Sequence, residues 1–412
     1  MPRLLLSSVV VSIALVTTAC SGGDGGDDAA TTTVAAEPTN FSGRGPYAVG
    51  QVDLALDADH TVAVFYPVDP SAVTPTAEAY AYSGKDVLDP AITAILPGAL
   101  SGEVAPANTW VGLPASEKGP FPTVLHSHGF SGNLRFGNQH NAAVASWGYV
   151  VAAVDHPERG LAAVLDGFIA GGAPAERPDE YLDSNQLLAA LDLLTETNEA
   201  DESPLAGAID TERVAAEGHS AGGSSSGTAA YDSRVDLWIG QAPVAPLEPD
   251  TDLAAFSGTG PMFDTDALLA ATTPPPVPSM IIAAEGDTVI ELAQVEKIYQ
   301  WLDSPKRLAV IAASGHAVFV DPCVPIRQEG GLSGFVRGLG LDPATVPLVE
   351  LGENGCLPAD PDPVLVGGLI DHLTVAQLNE AFNIEPAVAV ASLQPAYLKT
   401  TFPGLLLSIL SR

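Results

Sequence analysis

Short strand-like apolar runs alternate along this chain with segments of helical periodicity, and this alternation limits the folds that it can adopt. The runs lie at Thr61–Tyr66, Thr123–His126, Gly148–Asp155, Val214–Glu217, Ser279–Ala283 and Arg307–Ile311. Between the third and fourth runs, residues 181–196 carry leucines at helical spacing. Apolar strands separated by helices pair in parallel and are covered on both faces. The pattern therefore predicts an α/β fold with a mostly parallel central sheet and helices on both faces.

The charge of the chain excludes one class of partner. Its 412 residues include 50 acidic and 16 basic side chains, which gives a formal net charge of −34. Such a charge repels phosphate backbones and anionic membrane surfaces. We therefore expect no nucleic-acid partner.

The first twenty residues have the features of an export signal. Arg3 precedes an apolar stretch from Leu4 to about Val16, which is shorter than the roughly 20 residues of a membrane span. Cys20 follows small residues and resembles a bacterial lipoprotein processing site. Lipidation of Cys20 and ordinary cleavage near it both stay open. In either case we expect an extracytoplasmic protein that contacts a membrane only through a lipid anchor.

Composition divides the rest of the chain. Residues 21–43 are rich in Gly, Asp, Thr and Ala, which predicts a disordered linker. We expect a core at residues 44–320 and a C-terminal extension at 321–412 with a helix from Asp362 to about Phe382. Cys323 and Cys356 have no metal-binding spacing around them, so they predict a disulfide. We expect a monomer.

One motif carries candidate chemistry. Gly218-His219-Ser220-Ala221-Gly222 follows an apolar run and precedes small residues that can form a helix. A Gly-x-Ser-x-Gly sequence between a strand and a helix forms a sharp turn with the serine exposed at its apex. As a bare string the motif also fits a glycine-rich loop, but its context favours Ser220 as a nucleophile.

A serine nucleophile needs a histidine base and a carboxylate that orients the base. His316 and Asp287 both follow strand-like runs, and the order serine, acid, histidine is the one that this type of turn requires. Glu285 and Asp321 are rival acids. His60, His140 and His372 are interpreted as surface or packing residues.

Two backbone N–H groups must also face the oxyanion that forms during acyl transfer. We assign one to Ala221, directly after the candidate nucleophile. The other is assigned to Phe130, in the loop His128-Gly-Phe-Ser-Gly132 that follows a strand-like run.

A metal site is the alternative interpretation of His126 and His128, together with Asp155-His156 at the end of the next run. Hydrolytic zinc sites use such ligands. The glycines after His128 fit an oxyanion loop better, so we expect neither a metal nor a cofactor.

These motifs together resemble the α/β-hydrolase fold, in the branch of cutinase-like polyester hydrolases and of platelet-activating-factor acetylhydrolase-like or dienelactone-hydrolase-like esterases. Five further segments carry the resemblance: Gly45–Gly50, Val64–Pro67, Tyr149–Pro157, Arg177–Asp179 and Gln241–Pro243. It covers roughly residues 44–320. Polyester-degrading cutinases usually have Met after the nucleophile and Trp after the Ala-Pro dipeptide, where this chain has Ala221 and Val244.

The resemblance implies an exported serine hydrolase that cleaves carboxylic esters through an acyl-enzyme. A lipid, a polymer or a small ester would serve as substrate, and a polyester-specific or phospholipid-specific enzyme is one alternative. The other alternative is a non-catalytic binding protein on the same scaffold, because a fold does not determine chemistry.

Overall fold

The strand-like runs of the sequence form the central sheet of a computed structural model. The structure describes residues 36–87, 103–164, 180–249, 251, 265–338, 340, 342–345 and 349–412. Numbered in chain order, its strands are β1 (Ala48–Ala55), β2 (Thr61–Val68), β3 (Tyr82–Ser83), β4 (Glu103–Val104), β5 (Thr109–Val111), β6 (Phe121–Ser127), β7 (Val150–Val154), β8 (Ile209–His219), β9 (Leu237–Gln241), β10 (Ser279–Ala284), β11 (Lys306–Ile311) and β12 (Leu406–Ser411).

Helices connect and cover these strands. The α-helices are α1 (Asn138–Ser146), α2 (Glu180–Glu199), α3 (Ala221–Ala229), α4 (Thr265–Ala271), α5 (Leu292–Trp301), α6 (Cys323–Gln328), α7 (Leu332–Gly338), α8 (Val349–Glu353), α9 (Pro363–Ala381), α10 (Pro386–Ser392) and α11 (Pro395–Thr401). Short 3₁₀ turns lie at Pro70–Ala72, Gly84–Asp86, Pro157–Arg159, His316–Phe319 and Pro343–Thr345. Within the described ranges, no helix is both long enough and apolar enough to cross a bilayer.

The main sheet is mostly parallel and has the order β12-β11-β10-β9-β8-β6-β7-β2-β1-β5. The run from β11 to β7 is parallel throughout, whereas β12, β2 and β1 each pair antiparallel with a neighbour. β8 therefore lies at the centre, between β6 and β9. The predicted α/β-hydrolase fold class is confirmed.

Alternate side chains of the central strands fill two apolar layers. On β6, Val124 joins the layer that contains α1 and α9, while Leu125 joins the opposite layer, which contains α2. Both side chains are fully buried. Because side chains alternate across a strand, only a continuous apolar run can fill both layers.

The C-terminal extension is built into this architecture. β12 pairs with β11 at the edge of the sheet, and α9 buries Leu369 and Leu373 in the same layer as α1. Contacts join Ala36–Arg412 into one compact unit. The extension can therefore contribute side chains close to the ends of the central strands.

The segment before residue 44 differs in part from the predicted linker. Phe41 is 2% exposed and packs edge-on against Trp147. The N–H of Phe41 donates to Nδ1 of His372 on α9, at 3.0 Å. A buried aromatic side chain anchors this stretch, so the predicted disordered linker is restricted to residues 21–35. Those residues, like the predicted signal segment and Cys20, lie outside the described residues.

Candidate active site

Ser220 lies at the apex of the turn between β8 and α3. Its backbone has φ 57° and ψ −118°, in a region that residues other than glycine rarely adopt. The turn closes because the N–H of Ser220 donates to the Gln241 carbonyl at 2.9 Å and the N–H of Gly223 donates to the Ser220 carbonyl at 3.0 Å. Strain of this kind costs on the order of 1–3 kcal/mol and is typical of functional sites.

Two glycines make the turn sterically possible. A Cβ atom on Gly218 would lie 2.1 Å from the Gly222 carbonyl oxygen, and a Cβ atom on Gly222 would lie 2.1 Å from the Ser127 carbonyl oxygen. These contacts are with backbone atoms, which cannot rotate away. The motif thus lets α3 begin directly against the end of β6.

His316 is the residue that the structure brings to the Ser220 hydroxyl. It begins the 3₁₀ turn that follows β11, and its Nε2 atom is 3.0 Å from Ser220 Oγ. Ser220 is 8% exposed and His316 is 3% exposed. The two side chains are 96 positions apart in the sequence and meet at the carboxyl edge of the sheet.

Asp287 completes a hydrogen-bonded chain of three side chains. Its Oδ2 atom accepts from His316 Nδ1 at 2.7 Å, and its Oδ1 atom accepts from the N–H groups of Val289 and Ile290 at 2.8 Å. Two backbone donors and an imidazole therefore stabilise a carboxylate that is only 5% exposed. A proton on His316 Nδ1 leaves Nε2 free to accept from the serine.

The rival acids lie elsewhere. Glu285 accepts from the Ala313 N–H at 2.8 Å. Asp321 accepts from the N–H of Gln139 at 3.0 Å and from the Tyr82 hydroxyl at 3.2 Å. Burial raises the pKa of Asp321 to about 7. Neither carboxylate takes the place of Asp287 beside His316.

His219 precedes the serine, at the x position of the Gly-x-Ser-x-Gly motif, and supports the backbone of His316. Its Nε2 atom donates to the His316 carbonyl at 3.1 Å, and its ring stacks on Phe319 at 5.3 Å between centroids. Burial, together with the nearby imidazole of His316, lowers the pKa of His219 well below its usual value. A neutral ring keeps its donor on Nε2 for this bond.

The loop after β6 lies against the nucleophile turn. A Cβ atom on Gly129 would lie 3.3 Å from the Cβ atom of Ser220. Among the described residues, the N–H groups of Phe130 and Ala221 have no hydrogen-bond acceptor. Two unused donors beside Ser220 are what an oxyanion requires.

His128 and His156 form hydrogen bonds beneath this loop, and His126 is buried. His128 Nδ1 donates to the Gly129 carbonyl at 2.9 Å, and His128 Nε2 accepts from the His156 N–H at 3.1 Å. Burial lowers the pKa of His126 and of His156. The described part of the chain contains no cluster of three or more His, Cys, Asp or Glu side chains that suits a metal ion.

A buried polar network lies behind β8 and joins three elements. Glu217 of β8 is fully buried and accepts from His140 of α1 at 3.2 Å and from Thr374 of α9 at 3.0 Å. His140 Nδ1 also bonds Asp371 of α9 at 2.6 Å. Burial alone would lower the pKa of His140, but the two carboxylates outweigh it and raise the pKa to about 10.

Of the other histidines, His372 is buried. It accepts from Phe41 and its Nε2 atom bonds the Ser392 carbonyl at 3.0 Å. His60 is partly exposed between Asp57 and Glu158. The interpretation of His60, His140 and His372 as surface or packing residues agrees with these positions.

The extension contributes one residue that the sequence did not single out. Cys323 and Cys356 form a disulfide, and two residues before Cys356 the side chain of Asn354 bonds the N–H of His316 at 2.6 Å. The only sequence signal was the proximity of Asn354 to a predicted disulfide cysteine. Arg177–Asp179, another segment of the resemblance, lies outside the described residues.

Comparison with protein families agrees with this geometry. Residues 140–322, which include Ser220, Asp287 and His316, match the family model described as PET hydrolase-like. Residues 34–181, which include Phe130, match the model of platelet-activating factor acetylhydrolase, isoform II. A search of curated proteins gave no match.

The two matches confirm the resemblance to this branch of serine esterases. The chain is a carboxylic ester hydrolase of the α/β-hydrolase fold, similar to each of the two families over part of its length.

Proposed function

We propose that the protein is an exported serine esterase in which Ser220 is the nucleophile, His316 the general base and Asp287 the residue that orients the base. The observation that carries this proposal is the chain of hydrogen bonds from Asp287 Oδ2 to His316 Nδ1, 2.7 Å, and from His316 Nε2 to Ser220 Oγ, 3.0 Å. Both lengths suit proton transfer.

The reaction follows from these contacts. His316 Nε2 takes the hydroxyl proton while Ser220 Oγ forms a bond to the acyl carbon, and the carbonyl electron pair moves onto oxygen. The N–H groups of Phe130 and Ala221 stabilise that oxyanion. As the ester C–O bond breaks, the imidazolium returns the proton to the leaving alcohol. Water then repeats the sequence on the acyl-enzyme and releases the acid. This mechanism needs no cofactor.

Two positions that the resemblance links to the cleft of polyester-degrading cutinases hold different residues in this chain. Val244 is 3% exposed, and its N–H donates to the Ser220 carbonyl at 3.2 Å. A valine there supplies no indole to stack on an aromatic acyl group, and Ala221 is smaller still. We infer that aliphatic and acetyl esters are better substrates than aromatic polyesters. A panel of simple esters of increasing chain length, an acetylated phospholipid, an aliphatic polyester and poly(ethylene terephthalate) tests this order.

Two features support export. The disulfide between Cys323 and Cys356 is typical of proteins that mature in an oxidising compartment, and the first twenty residues have the composition of an export signal. We propose either lipidation at Cys20 or release after cleavage, and action as a monomer.

Replacement of Ser220 tests the mechanism. Ser220→Ala removes the attacking oxygen, so we expect ester hydrolysis to fall by about a million-fold while the melting temperature is retained. The measurement is kcat/KM on a short-chain ester, together with covalent labelling by a fluorophosphonate. Ser226→Ala is a matched control on α3, because its hydroxyl bonds the Gly223 carbonyl and the Trp238 indole instead. Unchanged hydrolysis in Ser220→Ala would contradict the assignment of the nucleophile, and an unlabelled wild-type protein would contradict the proposal and favour a binding protein.

A further inference from the structure

Asn354 connects the two turns that carry Asp287 and His316. Its Oδ1 atom accepts from the N–H of His316 at 2.6 Å and from the N–H of Thr288 at 3.1 Å. Its Nδ2 atom donates to the Gly286 carbonyl at 3.0 Å. One amide side chain thus bonds the residues on both sides of Asp287 and the residue that supplies the imidazole.

The backbone of the same residue adds a further bond. The Asn354 carbonyl accepts from the N–H of Ala317 at 2.8 Å. The two turns are also joined directly, since the N–H of Gly286 donates to the Ser314 carbonyl at 2.7 Å. Asn354, which belongs to the C-terminal extension, therefore adds hydrogen bonds between two turns that already bond each other directly.

Two glycines allow the extension to come this close. A Cβ atom on Gly315 would lie 2.5 Å from the Gly355 nitrogen, and Gly355 has φ 97°, where a side chain is strained. A Cβ atom on Gly355 would in turn lie 2.8 Å from the Gly315 carbonyl carbon. The backbone segments therefore cross in direct contact beside His316.

The disulfide holds the crossing segment in place. Cys356 follows Asn354 by two residues, and its partner Cys323 follows the 3₁₀ turn of His316. Both cysteines are fully buried and pack with Ala317. The bond ties the chain on the far side of His316 to the loop that carries Asn354.

We propose that Asn354 is a positioning residue for the Asp287–His316 pair, and that the Cys323–Cys356 disulfide acts on catalysis by holding Asn354. This inference rests on the proposed function of Ser220, Asp287 and His316. Asn354 touches neither substrate nor reacting atoms; it fixes the separation of the two turns. A misplacement of about 1 Å in a catalytic group can cost about a hundredfold in rate.

Three single variants test the role of the side chain. Asn354→Ala removes both acceptor and donor, and we expect kcat to fall about 10- to 100-fold with KM nearly unchanged, because acyl binding does not involve Asn354. Asn354→Asp keeps the acceptor for His316 and Thr288, so it should recover most of the lost kcat. Glu353→Gln is the matched control: Glu353 is the last residue of α8 and precedes Asn354, but it accepts from the Ser333 N–H at 2.7 Å, and the kcat of this variant should stay at the wild-type value.

A double-mutant cycle tests whether the disulfide acts on catalysis through Asn354. Replacing both cysteines by serine should lower kcat in the same way, and adding Asn354→Ala to that variant should cost much less than it does in the wild type. Circular dichroism and melting temperatures establish that each variant is folded.

The outcomes separate the two proposals. Wild-type kcat in Asn354→Ala, or a loss that appears only in KM, would overturn the positioning role while Ser220→Ala still abolishes activity. An Asn354→Asp variant as impaired as Asn354→Ala would also contradict it. Fully additive effects of the disulfide and Asn354 would overturn the claim that the disulfide acts by holding Asn354. If the wild type itself takes no fluorophosphonate label, the proposed function fails instead.

Discussion

Gly218 and Gly222 lie on either side of Ser220, and their missing side chains let a strand turn into a helix within three residues. The strained backbone of Ser220 has φ 57° and is kept by bonds to Gln241, Gly223 and Val244. Backbone strain of this type persists only where surrounding contacts determine it fully. At the residue scale, the candidate site thus depends on side chains that are absent as much as on those that are present.

Adding one methyl group at Gly222 should therefore disrupt the turn. Gly222→Ala places a Cβ atom 2.1 Å from the Ser127 carbonyl oxygen, so we expect a loss of about 2–4 kcal/mol in the free energy of unfolding and a severe loss of esterase activity. Gly367→Ala on α9 is the control, because a Cβ atom there meets no atom within 4 Å. Removing a helical glycine should instead stabilise the protein by about 0.5–1 kcal/mol. Urea denaturation measures both changes, and equal stabilities of the two variants would contradict this account.

The sequence carried more information about some site residues than about others. Ser220, Asp287 and His316 follow strands, so strand positions and chain order predicted that they would meet, and the structure brings them within hydrogen-bond distance. Asn354 follows no strand and belongs to no motif. The contact of Asn354 with His316 depends on where a distant segment of the chain crosses Gly315. No local sequence pattern predicts that crossing.

At the scale of elements, the sequence predicted six strands, β2, β6, β7, β8, β10 and β11, and the helices α2, α3 and α9, but not the other elements or which strands pair. The predicted helix at 362–382 is α9, Pro363–Ala381, with Asp362 as its N-cap. Leu365 is apolar but 59% exposed, whereas the adjacent Val366 is buried. Periodicity defines an apolar face only to within about one residue, and packing against α1 and the sheet decides which residue is covered. The pairing of β12 with β11 also could not be predicted from the sequence, because a short apolar run does not specify which strand it pairs with.

Asp321 lies where three elements meet, and its burial predicts a pH dependence of stability. It bonds Gln139 of α1 and Tyr82 of β3, at the start of the extension. Burial raises the pKa of Asp321 from 3.8 to about 7. A folded-state pKa above the unfolded one gives stability that is present below about pH 4 and is lost as the pH rises through about 7.

Asp321→Asn should remove this dependence, because the amide stays neutral and its oxygen can still accept from the Gln139 N–H. We expect the variant to gain about 1–4 kcal/mol relative to the wild type between pH 4 and pH 8. Melting temperatures at pH 5 and pH 8 measure the gain as a difference that increases with pH. Glu202→Gln, an exposed neutralisation in a turn, controls for the change of net charge. A difference between Asp321→Asn and wild type that stays constant with pH would refute the explanation.

At the scale of the whole molecule, the interior of the protein is mostly uncharged, whereas its surface is strongly acidic. The two apolar layers hold the sheet, and most of the 50 acidic side chains cannot be buried, so the formal net charge of −34 lies largely at the surface. A field of this sign repels anions that approach the protein and is screened by salt over about 10 Å at 0.1 M ionic strength. We therefore expect the surface charge to disfavour anionic esters.

Esters of equal size but different charge should reveal this selection. The p-nitrophenyl esters of butyric and succinic acid have the same acyl length, and only the second carries a terminal carboxylate. Raising NaCl from about 20 to 500 mM should increase kcat/KM for the succinate several-fold through KM, while the value for the butyrate changes little. An ester with a quaternary ammonium end group should respond in the opposite direction, because screening removes an attraction. If all three esters followed the same salt dependence, the surface charge would have no part in substrate choice, and discrimination among esters would have to come from contacts within the cleft.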